Sequence, residues 1–257
     1  AASIASNDIR YFYKELGKNQ HFYTKASIKG TLNDLRFKNL KLVDDRKTRI
    51  NGDINFKNLF AKKGQKFSMY AKFDKLTSSY DVLIVILPNI LGNKLPTSLK
   101  KLGRFTAIGT SNVSTTAVEA DFSMITALGK VTSNLAIQNI DVIDKASYLG
   151  NVILENFDIG TLFDQKELGS VSLDIDVDGK GFKREYLNTA IKGDISQIDY
   201  KNYNYTNIVV NGTLKSPNYK GQISVNDPNL SMTFDGLLDL SKKDSRYDFH
   251  INVENDD

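Results

Sequence analysis

From Leu187 to Val253 apolar and polar residues alternate with a period of two, and no helical period interrupts them. The even positions Leu230, Met232, Phe234, Gly236, Leu238 and Leu240 stand against Ser231, Thr233, Asp235 and Asp239, with only Leu237 out of step. Tyr247, Phe249, Ile251 and Val253 repeat the pattern against Asp248, His250, Asn252 and Glu254. Successive side chains of a strand point to opposite faces, so each set occupies one side. Leaving the apolar row from Leu230 to Leu240 in water forfeits roughly 2 kcal/mol per large side chain. That is about 10 kcal/mol, comparable to the net stability of a whole domain. What covers the apolar face therefore decides both the fold and the function.

The rest of the chain is of the same kind. Ala26, Ile28, Gly30 and Leu32 alternate against Lys25, Ser27, Lys29 and Thr31, and the run continues through Leu35 and Phe37 to Leu40 and Leu42. Its shift from odd to even predicts a bulge near Lys38 or Asn39. Ile50, Gly52, Ile54 and Phe56 form a strand, and Phe67, Met69, Ala71 and Phe73 form its neighbour. Later strands are read at Phe105–Gly109, at Val118–Met124, around Leu135 and Ile137, around Val152 and Leu154, and from Val171 to Val177. Helical signals are few. Ser6 to Leu16 reads as a three-turn helix ended by Gly17, and Gly160 to Gly169 as a helical turn. Between about residues 78 and 103 the period changes, with one short helix from Tyr80 to Leu87 stopped by Pro88 and a second from Pro96 to Leu102. Turn chemistry is read at Asn51-Gly52, Asp178-Gly179, Asn211-Gly212 and Asp227-Pro228-Asn229. No strand–helix–strand alternation is present, so a parallel sheet covered by helices is not expected.

Composition narrows the function. The 257 residues carry a net charge of +4 from 34 Lys and Arg against 30 Asp and Glu, with both signs interspersed along the chain. That is not the clustered footprint of a nucleic-acid binder. With no cysteine there is neither a disulfide framework nor a thiolate metal site. No apolar run approaches the roughly 20 residues of a membrane span. The chain ends straight after a patterned strand that nothing shields, and so reads as a piece of something longer.

No catalytic, cofactor or metal site is expected. His21 and His250 are the only histidines, and no Ser, His and Asp set points to a nucleophile. Asp174, Asp176, Asp178, Gly179 and Glu185 match the calcium-loop spacing. That loop, however, needs helical flanks and an apolar eighth position, and Gly181 stands there after a strand. The aspartates fit the wetted face of a strand better. Tyr200, Tyr203, Tyr205 and Tyr219 suit a sugar-stacking platform, though tyrosine is also an ordinary strand residue. The sequons at Asn112, Asn204 and Asn211 are short enough to arise by chance.

Several segments share a further likeness. The run NGTLKSPNYKGQISVNDPNL from Asn211 to Leu230, leading to Phe234-Asp235-Gly236, resembles the translocation and assembly module family TamB in its Bacteroidota form. Gly193-Asp194-Ile195, Tyr203 to Ile208, Asp8 to Phe12, Gly30 to Leu35, Leu95-Pro96 and Leu102-Gly103 fit the same family, so the resemblance runs over most of the chain. The family belongs with the AsmA-like, repeating β-groove proteins. The resemblance implies a U-shaped sheet with a hydrophobic trough in the periplasm, tethered to the inner membrane by an N-terminal helix and reaching a BamA-type outer-membrane partner. Both of those ends would lie outside this chain.

The expected fold is thus all-β: one continuous β-groove segment over residues 1–257, with a short N-terminal helix at about 6–16 and a helical insertion at about 78–103. At about 4.8 Å per strand, some 15 strands stack to roughly 70 Å. Phospholipid acyl chains are the expected cargo. Ile50, Ile54, Phe56, Phe67, Met69 and Phe73 are the expected lining in the first half, with Val118, Phe122 and Met124 beyond them. Leu173, Ile175, Leu230, Met232, Phe234, Leu238, Phe249 and Ile251 line the second. Two alternatives stand beside this conduit: a scaffold that pairs its edges with nascent outer-membrane β-barrel proteins, and an extracellular carbohydrate-binding β-protein that uses the tyrosines.

Overall fold

A computed structural model describes residues 1–10, 16–31, 33–59, 66–86, 88, 97–239 and 247–254. The chain is all-β. Fifteen antiparallel strands follow one another in chain order in an open sheet, not closed into a barrel. By contacts the chain forms two compact units, one of residues 1–127 and 138–143, the other of residues 128–137 and 144–257.

The first unit holds β1 (Ala2–Ala5), β2 (His21–Thr31), β3 (Asp34–Asp44), β4 (Arg49–Lys57), β5 (Ser68–Ser79), β6 (Arg104–Ser114) and β7 (Ala117–Ile125). Its core is the buried cluster Leu40, Ile54 and Ala71, with Phe37, Leu42, Ile50, Phe56, Met69 and Phe73 packed against it. The predicted bulge is present: pairing of β3 with β4 shifts between Phe37 and Leu40, where Asn39 takes φ 51°. Asp53 fastens it by accepting the Asn39 N–H at 2.9 Å and the Lys38 ammonium at 2.6 Å. These bonds, Lys38 foremost, hold the Asp53 carboxyl below the usual carboxylate range. The pairings of β2 with β3, β4 with β5 and β5 with β6 carry register shifts of their own.

Helices in this unit sit at strand ends. α1 (Ser6–Arg10) follows β1, and α2 (Tyr80–Ile86) follows β5. The second half of the predicted N-terminal helix, residues 11–15, lies outside the described residues, as does Leu87. The predicted helix from Pro96 to Leu102 is a 3-10 turn over Thr97–Leu102, ended by Gly103 at φ 63°. Among the described residues no helix is long and apolar enough to cross a membrane.

The second unit holds β8 (Lys130–Gln138), β9 (Ser147–Asp158), β10 (Leu168–Lys180), β11 (Asn188–Tyr200), β12 (Tyr203–Lys215), β13 (Asn218–Asp227), β14 (Leu230–Asp239) and β15 (Tyr247–Glu254). The expected helical turn is α3 (Ile159–Phe163), capped by Asp158, which accepts the Thr161 N–H at 2.7 Å. From β11 to β15 the ladders run without a register shift.

Three of the four dipeptides read as turns are not turns. Asn51-Gly52 lies inside β4, Asp178-Gly179 inside β10 and Asn211-Gly212 inside β12. Only Asp227-Pro228-Asn229 joins two strands. The reason is that glycine serves more than turns: Gly52 takes φ 148° inside β4, and Gly179 and Gly212 stand where a Cβ would meet the neighbouring strand at 2.6 and 2.5 Å. Gly221, opposite Gly212, has φ 153°, a conformation essentially confined to glycine, and a Cβ there would lie 2.3 Å from Gly212 Cα and 2.4 Å from Asn211 O. Glycine lets adjacent backbones close up where any side chain would hold them apart.

Candidate functional site

Residues directly opposite each other in a ladder share a face, so the register assembles the expected lining residues strand by strand. In the first unit Phe56, Met69, Val113 and Val118 form one row across β4 to β7. Ile54 lies opposite both Phe37 and Ala71, and Ile50 opposite both Leu42 and Leu76. Phe73 and Phe122 flank Gly109, and Met124 follows on the same face opposite Ala107. The Phe56 ring meets Phe37 edge-on at 5.9 Å and Phe67 at 6.4 Å.

In the second unit Ile175, Gly193, Val210, Ile223, Phe234 and Ile251 form a single row from β10 to β15. A second row runs Leu173, Ile195, Ile208, Val225, Met232 and Val253. A third crosses Ile191, Gly212, Gly221, Gly236 and Phe249. Leu238 stands opposite Tyr219, and Leu230 sits at the turn opposite Asp227. Six strands at about 4.8 Å make each full row about 24 Å wide, against roughly 30 Å for the hydrocarbon of a whole bilayer.

Burial separates this face from an ordinary core. Of the seventeen expected lining residues only Ile54 and Phe234 are buried, while Phe249 and Ile251 are exposed at 44% and 42%. The other thirteen are half-buried. A close-packed interior would bury most of them outright.

The far side of the sheet is mostly polar, with Ile108, Leu149 and Val209 as exposed apolar residues on it. Asp174 and Asp176 lie exposed along β10, where Asn151 Nδ2 donates to them at 2.7 and 3.1 Å. They are the wetted face of a strand, and β10 continues through Asp178 to Lys180 where a calcium loop would have to turn. Two open depressions, of about 480 and 720 Å³, are lined mainly by residues of this side, among them Asn55, Tyr70, Asn112 and Glu119 in the first unit and Asn151, Asp176, Lys192 and Asn211 in the second.

One end of the second unit's sheet is stitched by aspartates. Asp227 accepts the Tyr203 hydroxyl at 2.5 Å, the Asn229 N–H at 3.0 Å and the Thr206 N–H at 2.9 Å. Asp199 takes Asn204 Nδ2 and the Ser170 hydroxyl, each at 2.6 Å. Hydrogen bonds to the ionised form, led by Tyr203 for Asp227 and Asn204 for Asp199, hold both carboxyls below the usual range. The tyrosines take part in this scaffold. The Tyr203 and Tyr205 rings pack on each other at 4.5 Å and 64°, and Tyr219 is buried against the space that Gly212 leaves. These rings do not lie in one plane as a stacking platform would.

Comparison with known proteins adds no relative: no family model, curated protein or solved structure matches the chain. The face has to be read from its own chemistry.

Proposed function

We propose that this chain is a periplasmic segment of a TamB-like, AsmA-like β-groove protein, and that its apolar face conducts phospholipid between the inner and outer membranes in support of outer-membrane biogenesis. On this reading it is not an enzyme. The observation that carries it is the half-buried state of the lining, set in apolar rows up to six strands wide. Hydrocarbon on such a surface is held by exclusion from water without any directional bond. A chain can therefore be retained and still slide. Glycines at Gly109, Gly212, Gly221 and Gly236 let neighbouring strands close up within the rows, with Phe122, Tyr219 and Phe249 packed against them.

The test is native lipid mass spectrometry on the purified chain, with Phe122→Arg as the comparison. Co-purified phospholipid in the wild type and its loss in the variant, at unchanged β content, is the expected result. A lipid-free wild type that gains none from micelles overturns the reading. Crosslinking of edge residues to unfolded outer-membrane barrel proteins, with no lipid bound, would favour the scaffold instead.

A further inference from the structure

The two halves of the chain differ in charge, and the fold gathers part of the difference on one face. The first unit contains 21 Lys and Arg against 11 Asp and Glu, a net of +10, and the second 13 against 19, a net of −6. The first unit's excess gathers on the polar side of β2 to β5. Register places Lys25 opposite Lys41 and Lys29 opposite Arg36, and Lys41 shares the Asn51 position with Lys75 two strands further on. Arg36 is paired with Asp34 at 2.8 Å and Lys38 with Asp53 at 2.6 Å. Lys25, Lys29, Lys41 and Lys75 are exposed, with no carboxylate in ion-pair range among the described residues. Like charges directly opposite cost stability, so the sheet sustains this field at its own expense. At one end of the patch Tyr23 and Val43 lie opposite each other, 54% and 38% exposed.

We propose that this face docks the protein on a membrane surface rich in anionic phospholipid, with the lysines among the headgroups and the Tyr23–Val43 pair at the interface. The chemistry favours a lipid surface over a protein. Lysine is depleted in protein interfaces, whose cores hold aromatics and arginine. Here flexible ammonium groups, which have no fixed fork geometry, cover a broad strand face, an arrangement suited to a fluid layer of phosphates. Tyrosine is enriched where one end of the ring is apolar and the other wet. The second unit is net acidic, shows no such patch among its described residues and serves as an internal control.

The test is co-sedimentation of the whole chain with vesicles of phosphatidylcholine alone or of an equal mixture of phosphatidylcholine and phosphatidylglycerol. Binding to the mixed vesicles only, weakening as salt is raised, is the expected result. Replacing Lys25, Lys41 and Lys75 together by Gln lowers the affinity about a hundredfold, since each lysine near an anionic surface contributes about fivefold. Replacing Lys180, Lys192 and Lys220 of the second unit by Gln removes the same charge and leaves binding within about twofold. Equal binding to neutral vesicles, an unchanged affinity for the first variant, or an equal loss in the second overturns the proposal. So does capture of a duplex oligonucleotide, or self-association that the Lys25 variant abolishes, without vesicle binding. The proposal goes beyond the conduit reading and fails separately from it: the variant at Lys25, Lys41 and Lys75 keeps any phospholipid found by mass spectrometry.

Discussion

The two units solve one problem in different ways. Each must shape an antiparallel sheet so that a single apolar face is sheltered. In the first unit, every pairing from β2 to β6 contains a register shift. In the second, β11 to β15 stay in register, and Gly212, Gly221 and Gly236 line up across three consecutive strands. A bulge bends a strand by adding a residue to one side of the ladder. A glycine row achieves close approach by removing side chains. A bulge keeps every apolar side chain and gathers a compact cluster at Leu40, Ile54 and Ala71. The glycine row gives up side chains and draws β12, β13 and β14 together, with Tyr219 packed over Gly212. The two routes predict different sensitivities to substitution.

The largest effect is expected where the glycine row is broken. Gly221→Val forces a side chain into the backbone of β12 from a φ that only glycine adopts readily, at a cost of about 3 kcal/mol or more. Urea unfolding checks it, and a loss below about 1 kcal/mol would mean the row is not what brings those strands together. Phe234→Ala, at a buried position in one of the second unit's two six-strand rows, should cost about 3 kcal/mol, while Ile54→Val in the bulged unit should cost about 1 kcal/mol. Similar losses at both positions would erase the contrast between a compact cluster and an open row.

A smaller effect follows pH. Asp158, Asp199 and Asp227 have folded-state pKa values below their unfolded ones. Their contribution is complete above the unfolded value of about 4 and disappears as pH falls through the depressed folded values. The urea midpoint should therefore fall below about pH 4, and Asp227→Asn should start lower and flatten that fall. An unaltered slope in the variant would remove Asp227 from the account. Least of all, Lys41→Glu turns a like-charge pair with Lys25 into an opposite one, and should raise the midpoint slightly at low salt and not at high salt.

Much of this was legible beforehand because a strand's period of two is local. Ile50, Ile54 and Phe56, or Met232, Phe234 and Leu238, declare a shared face whatever their neighbours do, and the change from odd to even at Lys38 and Asn39 declares a bulge. The dipeptides were not legible. Asn211-Gly212 looks the same in a two-residue turn and in mid-strand, because in both glycine supplies a backbone or a closeness that other residues resist. Only the position of β13 decides between them. The paired strand β1 had no signal either, since four residues are too few to show a period.

Sequence alone therefore determined that the chain forms strands, which side chains lie on the same side of each, and that one side is apolar, since these depend on residues two apart. Tertiary structure decided the rest. Lys25 and Lys41 become a pair, and Gly212, Gly221 and Gly236 become a row, only when the ladder sets the register, because a cross-strand neighbour is adjacent in space and distant in sequence.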